Sequence, residues 1–348
     1  MLMRGGTSKG AFFLADDLPT TEVERDELLL RVMGSPDPRQ IDGVGGAHPL
    51  STKVAVVAPS ERDDVDLEYL FLQVSVDQPE VTDKQNCGNM LAAVGPFAVE
   101  RGLISPGNSL ASVRILMKNT GRVAVAAFPV EGGTPVYAGD TEISGVPGAA
   151  AGISIEFEDI AGSSTGALLP TGQIVDSIDG IEATLIDNGM PVVVLRSSDV
   201  GISGYESCEE LEANEGLRRK LEGIRLVAGK LMNLGDVTKA TVPKLTLVSP
   251  PQSGGAISTR TFIPHRCHQA IGVLGAVSVA TACLMPGSTA ARLARSEPAS
   301  DVIRIEHPTG AFDATVRLGP GPELEILGAG IIRTARKLMD GTVFPRSY

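Results

Sequence analysis

The sequence predicts an α+β protein of two similar domains, each a set of strands around one buried helix. Three observations carry this. The chain has 348 residues, and at roughly 100–200 residues per domain that suggests two. Hydrophobic residues are 43% but aromatics only 4%, with no Trp, 40 Gly and 23 Pro, a mixture that suits strands joined by tight turns. Two apolar stretches, each following a polar turn, read as enclosed helices at corresponding places in the two halves.

In order along the chain, a short strand leads into the glycine-rich turn around Gly5 and Gly6. Lys53 to Ala58 reads as a buried strand and Leu67 to Val76 as another. Ser112 to Met117 and Arg122 to Phe128 form a hairpin around Asn119-Thr120-Gly121. Between them lies the first helix, about 88–101, with Asn86-Cys87-Gly88-Asn89 as its turn and cap; Pro96 should kink it or mark a local break. The second half has strands at Glu182 to Ile186, Met190 to Leu195, Leu245 to Ser249 and Ala256 to Phe262. The second helix, about 268–284, follows His265 to His268 and stops at Pro286-Gly287. Strands at Val302 to Glu306, Ala314 to Leu318 and Leu324 to Ile332 close the order, and Glu209 to Met232 reads as a polar surface helix. Gly162 to Gly172, rich in Gly, Ser and Thr, is the candidate connector. The domains are then 1–162 and 173–332, with the tail 333–348 a candidate to join the first. A cleft between two halves is a preferred ligand site.

The net charge is 30 − 42 = −12, which argues against a nucleic-acid partner. An anionic substrate then needs a locally built site, from a few cations and from N–H groups at helix starts. Cys87, Cys208, Cys267 and Cys283 form no Cys-x-x-Cys pair and read as free thiols in a reducing compartment, which predicts a cytoplasmic protein. No secretory pattern opens the chain, and the longest apolar run, about Ala270 to Met285, is shorter than the roughly 20 residues of a membrane span. No membrane partner is expected.

Three binding motifs fail. Gly43-x-Gly45 lacks the third glycine, since position 48 is His. Gly5 to Gly10 has phosphate-loop composition in the wrong order. His265, Cys267 and His268 lie too close in sequence to converge on zinc without a second cluster. No metal or organic cofactor is expected.

Cys87 is the sharpest residue. A helix start stabilises thiolate, and the N–H groups of Cys87, Gly88 and Asn89 could receive a carboxylate. A plain core cysteine is the competing reading, but a core has no need of the polar Asn86 and Asn89 beside it. Lys53 opens an apolar strand, where half-burial would lower an ammonium's pKa toward that of a base; by spacing alone a snorkelling lysine fits better. Arg4, Thr7, Ser8 and Lys9 in the glycine-rich turn suit either an anion site or a simple hairpin. Asp187-Asn188-Gly189 is a turn signal first, with a ligand-facing amide as the alternative. Arg266 at a helix start is odd as structure, because cations suit the opposite end; a bound anion would explain it.

Five ordered segments then carry a resemblance over nearly the whole chain: MRGGTSKG at 3–10, GGAHPLSTK at 45–53, NCGN at 86–89, DNGMP at 187–191 and RTARKLMDG at 333–341. The sequence resembles the 2-methylaconitate isomerase family, which shares its fold with diaminopimelate epimerase. The resemblance implies two similar domains with the active site in the cleft between them. It implies Lys53 and Cys87 facing each other across a small anionic polycarboxylate, with the lysine as general base for an allylic proton. Arg4, Thr7, Ser8, Asn86, Gly88, Asn89, Asn188, Gly189, Met190, Arg266 and His268 become substrate-binding candidates. The stretch from Phe262 to His268, followed by IGVLGAVSVATACL, is similar to the 4-oxalomesaconate tautomerases and isomerases of gallate and protocatechuate breakdown. That branch implies a cofactor-independent 1,3-proton shift; 2-methylaconitate cis–trans isomerisation is the alternative. Cys267 falls near the start of the second central helix, where diaminopimelate epimerase carries its second catalytic thiol. A two-thiol epimerase therefore stays open, as do a non-catalytic polycarboxylate binder and a homodimer.

Overall fold

The structure is a computed structural model and describes residues 1–84, 86–295, 301–319 and 325–347. Leu324 and Tyr348 lie outside the described residues. The chain forms two compact units, Met1–Glu158 with Ile332–Tyr348, and Asp159–Ile331. The expected connector 162–172 belongs to the second unit. Its chemistry explains why: the buried Asp187 carboxylate accepts the N–H groups of Ser164 and Thr165 and the Thr165 hydroxyl, which pins the loop down.

In the first unit, β1 (Leu2–Gly5) and β2 (Ser8–Leu14) form an antiparallel hairpin. Helix α1 (Glu22–Met33) follows, capped by the Thr21 side chain and ended by Gly34 at φ 81°. Nothing in the apolar pattern announced it, because it buries only Leu29, Val32 and Met33. β3 (Lys53–Pro59) runs parallel to β2, and β4 (Leu67–Val74) antiparallel to β3. The buried helix of the sequence is two pieces, α2 (Gly88–Leu91) and α3 (Val94–Glu100). The break precedes Pro96 instead of falling at it. Proline has no N–H and clashes with the carbonyl four residues back, so restarting at Val94 puts Pro96 in a first turn, where both defects are harmless. β5 (Leu110–Met117), β6 (Arg122–Glu131) and β7 (Gly152–Phe157) continue the sheet, and β7 pairs with the chain's last strand, which returns to β1. The strands thus form a ring around α2 and α3, whose residues from Met90 to Val99 are buried throughout.

In the second unit, β8 (Ile181–Asp187) and β9 (Pro191–Arg196) form a hairpin. The expected surface helix is broken into α4 (Cys208–Ala213) and α5 (Glu215–Leu231) at Asn214, whose side chain caps the second piece. β10 (Lys244–Ser249) and β11 (Ile257–Phe262) precede α6 (Val273–Leu284), which is buried from Gly275 to Cys283. β12 (Val302–His307), β13 (Gly310–Leu318) and β14 (Ile326–Met339) complete the chain. The sheet is mixed, with β9–β10 and β11–β12 parallel. Helix α6 packs against β8, β9, β12 and β13. Ala183, Leu185, Val193, Leu195, Leu245 and Leu247 form a separate core with α4 and α5. Among the described residues no helix is long and apolar enough to cross a membrane.

Candidate active site

Lys53 is buried, at 7% exposure, despite opening its strand. Its ammonium donates to Gln73 Oε1 at 2.8 Å and lies 4.9 Å from the centroid of the Phe71 ring. Gln73 is its register partner across β3–β4, and the glutamine's own amine donates to the carbonyls of Pro49, Thr52 and Val74. With its NH2 thus engaged, the amide can present only oxygen to the lysine.

Cys87 is the N-cap of α2, in extended backbone. Its N–H donates to Asn86 Oδ1 at 2.9 Å, so that group is not open to a ligand as expected. Its carbonyl accepts the Leu91 N–H and the hydroxyl of Tyr69. Burial, then the neighbouring Cys87, pushes the Tyr69 phenol well above its usual range, so it stays a donor. The Cys87 thiol sits 4.0 Å from the hydroxyl of the buried Ser8. Asn89 is a clamp: its Nδ2 donates to Thr7 Oγ1 at 3.1 Å and its Oδ1 accepts from Arg333 Nε at 3.1 Å. A Cβ on Gly6, at φ +51°, would collide with the Asn89 side chain, and one on Gly5 with its carbonyl. The glycine pair is what lets the β1–β2 turn close onto the NCGN turn.

Strand alternation sorts these groups by face. Met3 and Gly5 face α2, as do their register partners Gly10 and Ser8. Lys53 pairs with Gly10 across β2–β3 and shares that face, together with Gln73. Arg4 lies between Met3 and Gly5 and points away. Its guanidinium donates to the carbonyls of Gly6 and Thr334 and to the Thr334 hydroxyl. It therefore holds the turn and does not join Lys53 and Cys87. The buried cation on their face, beside Asn89, is Arg333; Lys337, the register partner of Met3, is paired with Glu100. Arg333 lies in the RTARKLMDG segment, but the hairpin register that selects it over Arg4 has no signature in the sequence.

The candidates in the second unit also move. Asn188 is fully buried: its N–H donates to Ser278 Oγ and its Nδ2 to Thr281 Oγ1, which ties the β8–β9 turn to α6. Ser278 in turn donates to the Met190 carbonyl. Gly189 holds φ +91°, with Leu274 and Ile160 where a side chain would go. These three are joints of the unit. Arg266 is not at a helix start; its side chain is 82% exposed and pairs with Glu212 at 3.7 Å. Cys267 does not stand at the start of α6, which begins at Val273. It lies buried in the core under α4 and α5, beside Cys208. Burial, and then Cys208, pushes its thiol far up, opposite to what a proton-transfer thiolate needs. His268 accepts the Ala270 N–H through Nδ1, and burial and then Lys244 lower its pKa. Among the described residues no group of three His, Cys, Asp or Glu could hold a metal ion.

Residues 1–346 match the PrpF protein family. The chain belongs to the PrpF family. Among its relatives, the "(4E)-oxalomesaconate Delta-isomerase" of Novosphingobium sp. (strain KA1) is 59% identical over 345 residues, covering 99% of this chain and 96% of that protein. The "4-oxalomesaconate tautomerase" of Pseudomonas putida KT2440 is 56% identical over 344 residues, covering 99% and 94%. A crystal structure of methylitaconate-delta-isomerase superposes with a TM-score of 0.89 at 32% identity, covering 98% of this chain and 93% of that one. The α+β architecture is therefore that of a PrpF isomerase. Gln73, Tyr69 and Arg333 are the site residues that motif spacing left unnamed; the only signal for Gln73 is an amide interrupting an apolar strand.

Proposed function

We propose that this PrpF protein is a 4-oxalomesaconate isomerase acting by a 1,3-proton shift. The observation that carries the reading is the buried Lys53–Gln73 pair on the same sheet face as Ser8 and Cys87, in a chain 59% identical to a named oxalomesaconate isomerase. Lys53 in its neutral form takes a proton from the carbon between the alkene and the ketone. The C–H bond breaks, an N–H bond forms, and the electron pair spreads into the dienolate. Arg333 and the N–H groups of Gly88 and Asn89 supply positive potential for the carboxylates on that face. Cys87 returns a proton to the far end of the dienolate, its S–H bond breaking as the new bond forms, and solvent exchange resets both groups. The ketone is the electron sink, so the step calls for no metal or organic cofactor.

The test is turnover of 4-oxalomesaconate in D2O followed by NMR. Deuterium should enter at the positions that exchange the proton, and Lys53→Ala should lose at least a thousandfold in rate. Full activity in that variant refutes the role of the lysine. The rival two-thiol epimerase requires Cys267; a Cys267→Ser variant with a normal rate removes it.

A further inference from the structure

The outer face of the β1–β2 hairpin holds a feature that the proton-transfer chemistry leaves unused. Lys9, Arg4 and Arg336 are direct register partners: Arg4 pairs with Lys9 across β1–β2 and with Arg336 across β1–β14. Like charges directly opposite one another destabilise a sheet, yet here three stand in one row in a chain of net charge −12. Arg4 is satisfied by the carbonyls of Gly6 and Thr334 and the Thr334 hydroxyl. Among the described residues, the Lys9 ammonium and the Arg336 guanidinium have neither an ion pair nor a side-chain hydrogen bond. All three line a cavity of about 460 Å³, walled by Tyr137 and by residues Pro147 to Ala150. That volume is within the range of small-ligand sites, roughly 300–1,000 Å³. Two acids stand near this wall: Glu100, which meets the Tyr137 hydroxyl and is already paired with Lys337 at 2.6 Å, and Glu142, the exposed cross-strand partner of Ala149.

We propose that this cavity binds a small polycarboxylate across Lys9, Arg4 and Arg336, at a site separate from Lys53 and Cys87. Adjacent strands lie roughly 5 Å apart, so the row spans about 10 Å. A ligand with carboxylates spread over a similar length can meet Lys9 and Arg336 at its two ends, with the Arg336 guanidinium fork taking a pair of carboxylate oxygens and Arg4, held by the turn, adding positive charge between them. A compact anion such as inorganic phosphate reaches only part of it. The cavity lies on the face turned away from α2, whereas Ser8, Lys53 and Gln73 face α2.

Calorimetric titration with citrate tests this, using Arg336→Ser and Arg336→Glu because Arg336 is exposed and bonds nothing structural. Wild-type protein should take up citrate in an event that weakens as salt rises. Arg336→Glu should weaken it at least tenfold, Arg336→Ser by less, and both should unfold at the wild-type temperature. Inorganic phosphate should bind at least fivefold more weakly than citrate. Cys87→Ser should leave the event unchanged. An isotherm unaltered by Arg336→Glu, an absence of citrate uptake, phosphate binding as tightly as citrate, or loss of the event in Cys87→Ser would each overturn the proposal.

Discussion

Among the described residues Lys53 has one side-chain hydrogen-bond acceptor, Gln73 Oε1, whose orientation is set by three backbone carbonyls. Gln73→Leu removes the acceptor and frees the ammonium to rotate. We expect kcat to fall about ten- to hundredfold with a smaller change in KM, since misplacement of a reacting group acts mainly on the chemical step. Leaving the buried ammonium unpaired should also cost about 1–3 kcal/mol of stability, read by denaturant unfolding. A variant with wild-type kcat would show that the amide only fills space. His268 gives a prediction in pH. Its folded pKa is lowered, so the unfolded chain, near 6.5, takes the proton first. Stability is therefore unaffected above about pH 6.5 and declines as the pH drops below it. Between pH 6.5 and 5, the unfolding temperature of wild type should fall further than that of His268→Gln. At this scale a motif located Lys53, Ser8 and Cys87, which the fold places toward α2, while their roles rest on the proposed function. The sequence was misleading where a cation's role depends on which face it takes. Arg4 and Arg333 look alike in their motifs, and only the pairing of β1 with β14 separates them.

The elements follow from pattern more closely than the residues do. Apolar runs marked β3, β9, β10 and α6 to within a few residues, because burial on both sides favours a nearly continuous apolar sequence. Helix α1 escaped because three buried positions make a weak stripe, and the break at Asn214 escaped because its cap lies within a continuous polar helix pattern. Joints between elements were the hardest to read. Ser278 sits in the middle of an apolar helix and gave no signal, yet it accepts the Asn188 N–H and donates to the Met190 carbonyl, and so fastens the β8–β9 turn to α6. Ser278→Ala strands the buried Asn188 N–H and the half-buried Met190 carbonyl. At about 1–3 kcal/mol for each unsatisfied group, the loss should be about 2–6 kcal/mol, measured by chemical denaturation. Ser278→Thr, which keeps the hydroxyl, should recover part of it unless its extra methyl finds no room. A loss below about 0.5 kcal/mol in Ser278→Ala would mean that water or a backbone shift replaces the hydroxyl.

For the molecule as a whole, family membership spans residues 1–346, but the relatives are named as isomerases or tautomerases of different compounds. The proposed choice of substrate turns on electron demand. Removing a proton between an alkene and a ketone delivers the charge to the ketone oxygen. Removing one from 2-methylaconitate, which has no ketone, forces it onto groups that are already carboxylates, and the protein must supply correspondingly more positive potential. On the face shared by Lys53 and Cys87, the cation identified beside the NCGN turn is Arg333, and it is already committed to Asn89; the exposed Arg266 pairs with Glu212. This modest supply suits the substrate that carries its own electron sink. Purified protein should therefore turn over 4-oxalomesaconate with a kcat/KM at least a hundredfold above that for 2-methylaconitate, measured side by side by NMR. Arg333→Met should reduce both rates and reduce the 2-methylaconitate rate more. Equal rates on the two substrates, or a preference for 2-methylaconitate, would mean that stabilising charge reaches the substrate from groups other than those on this face.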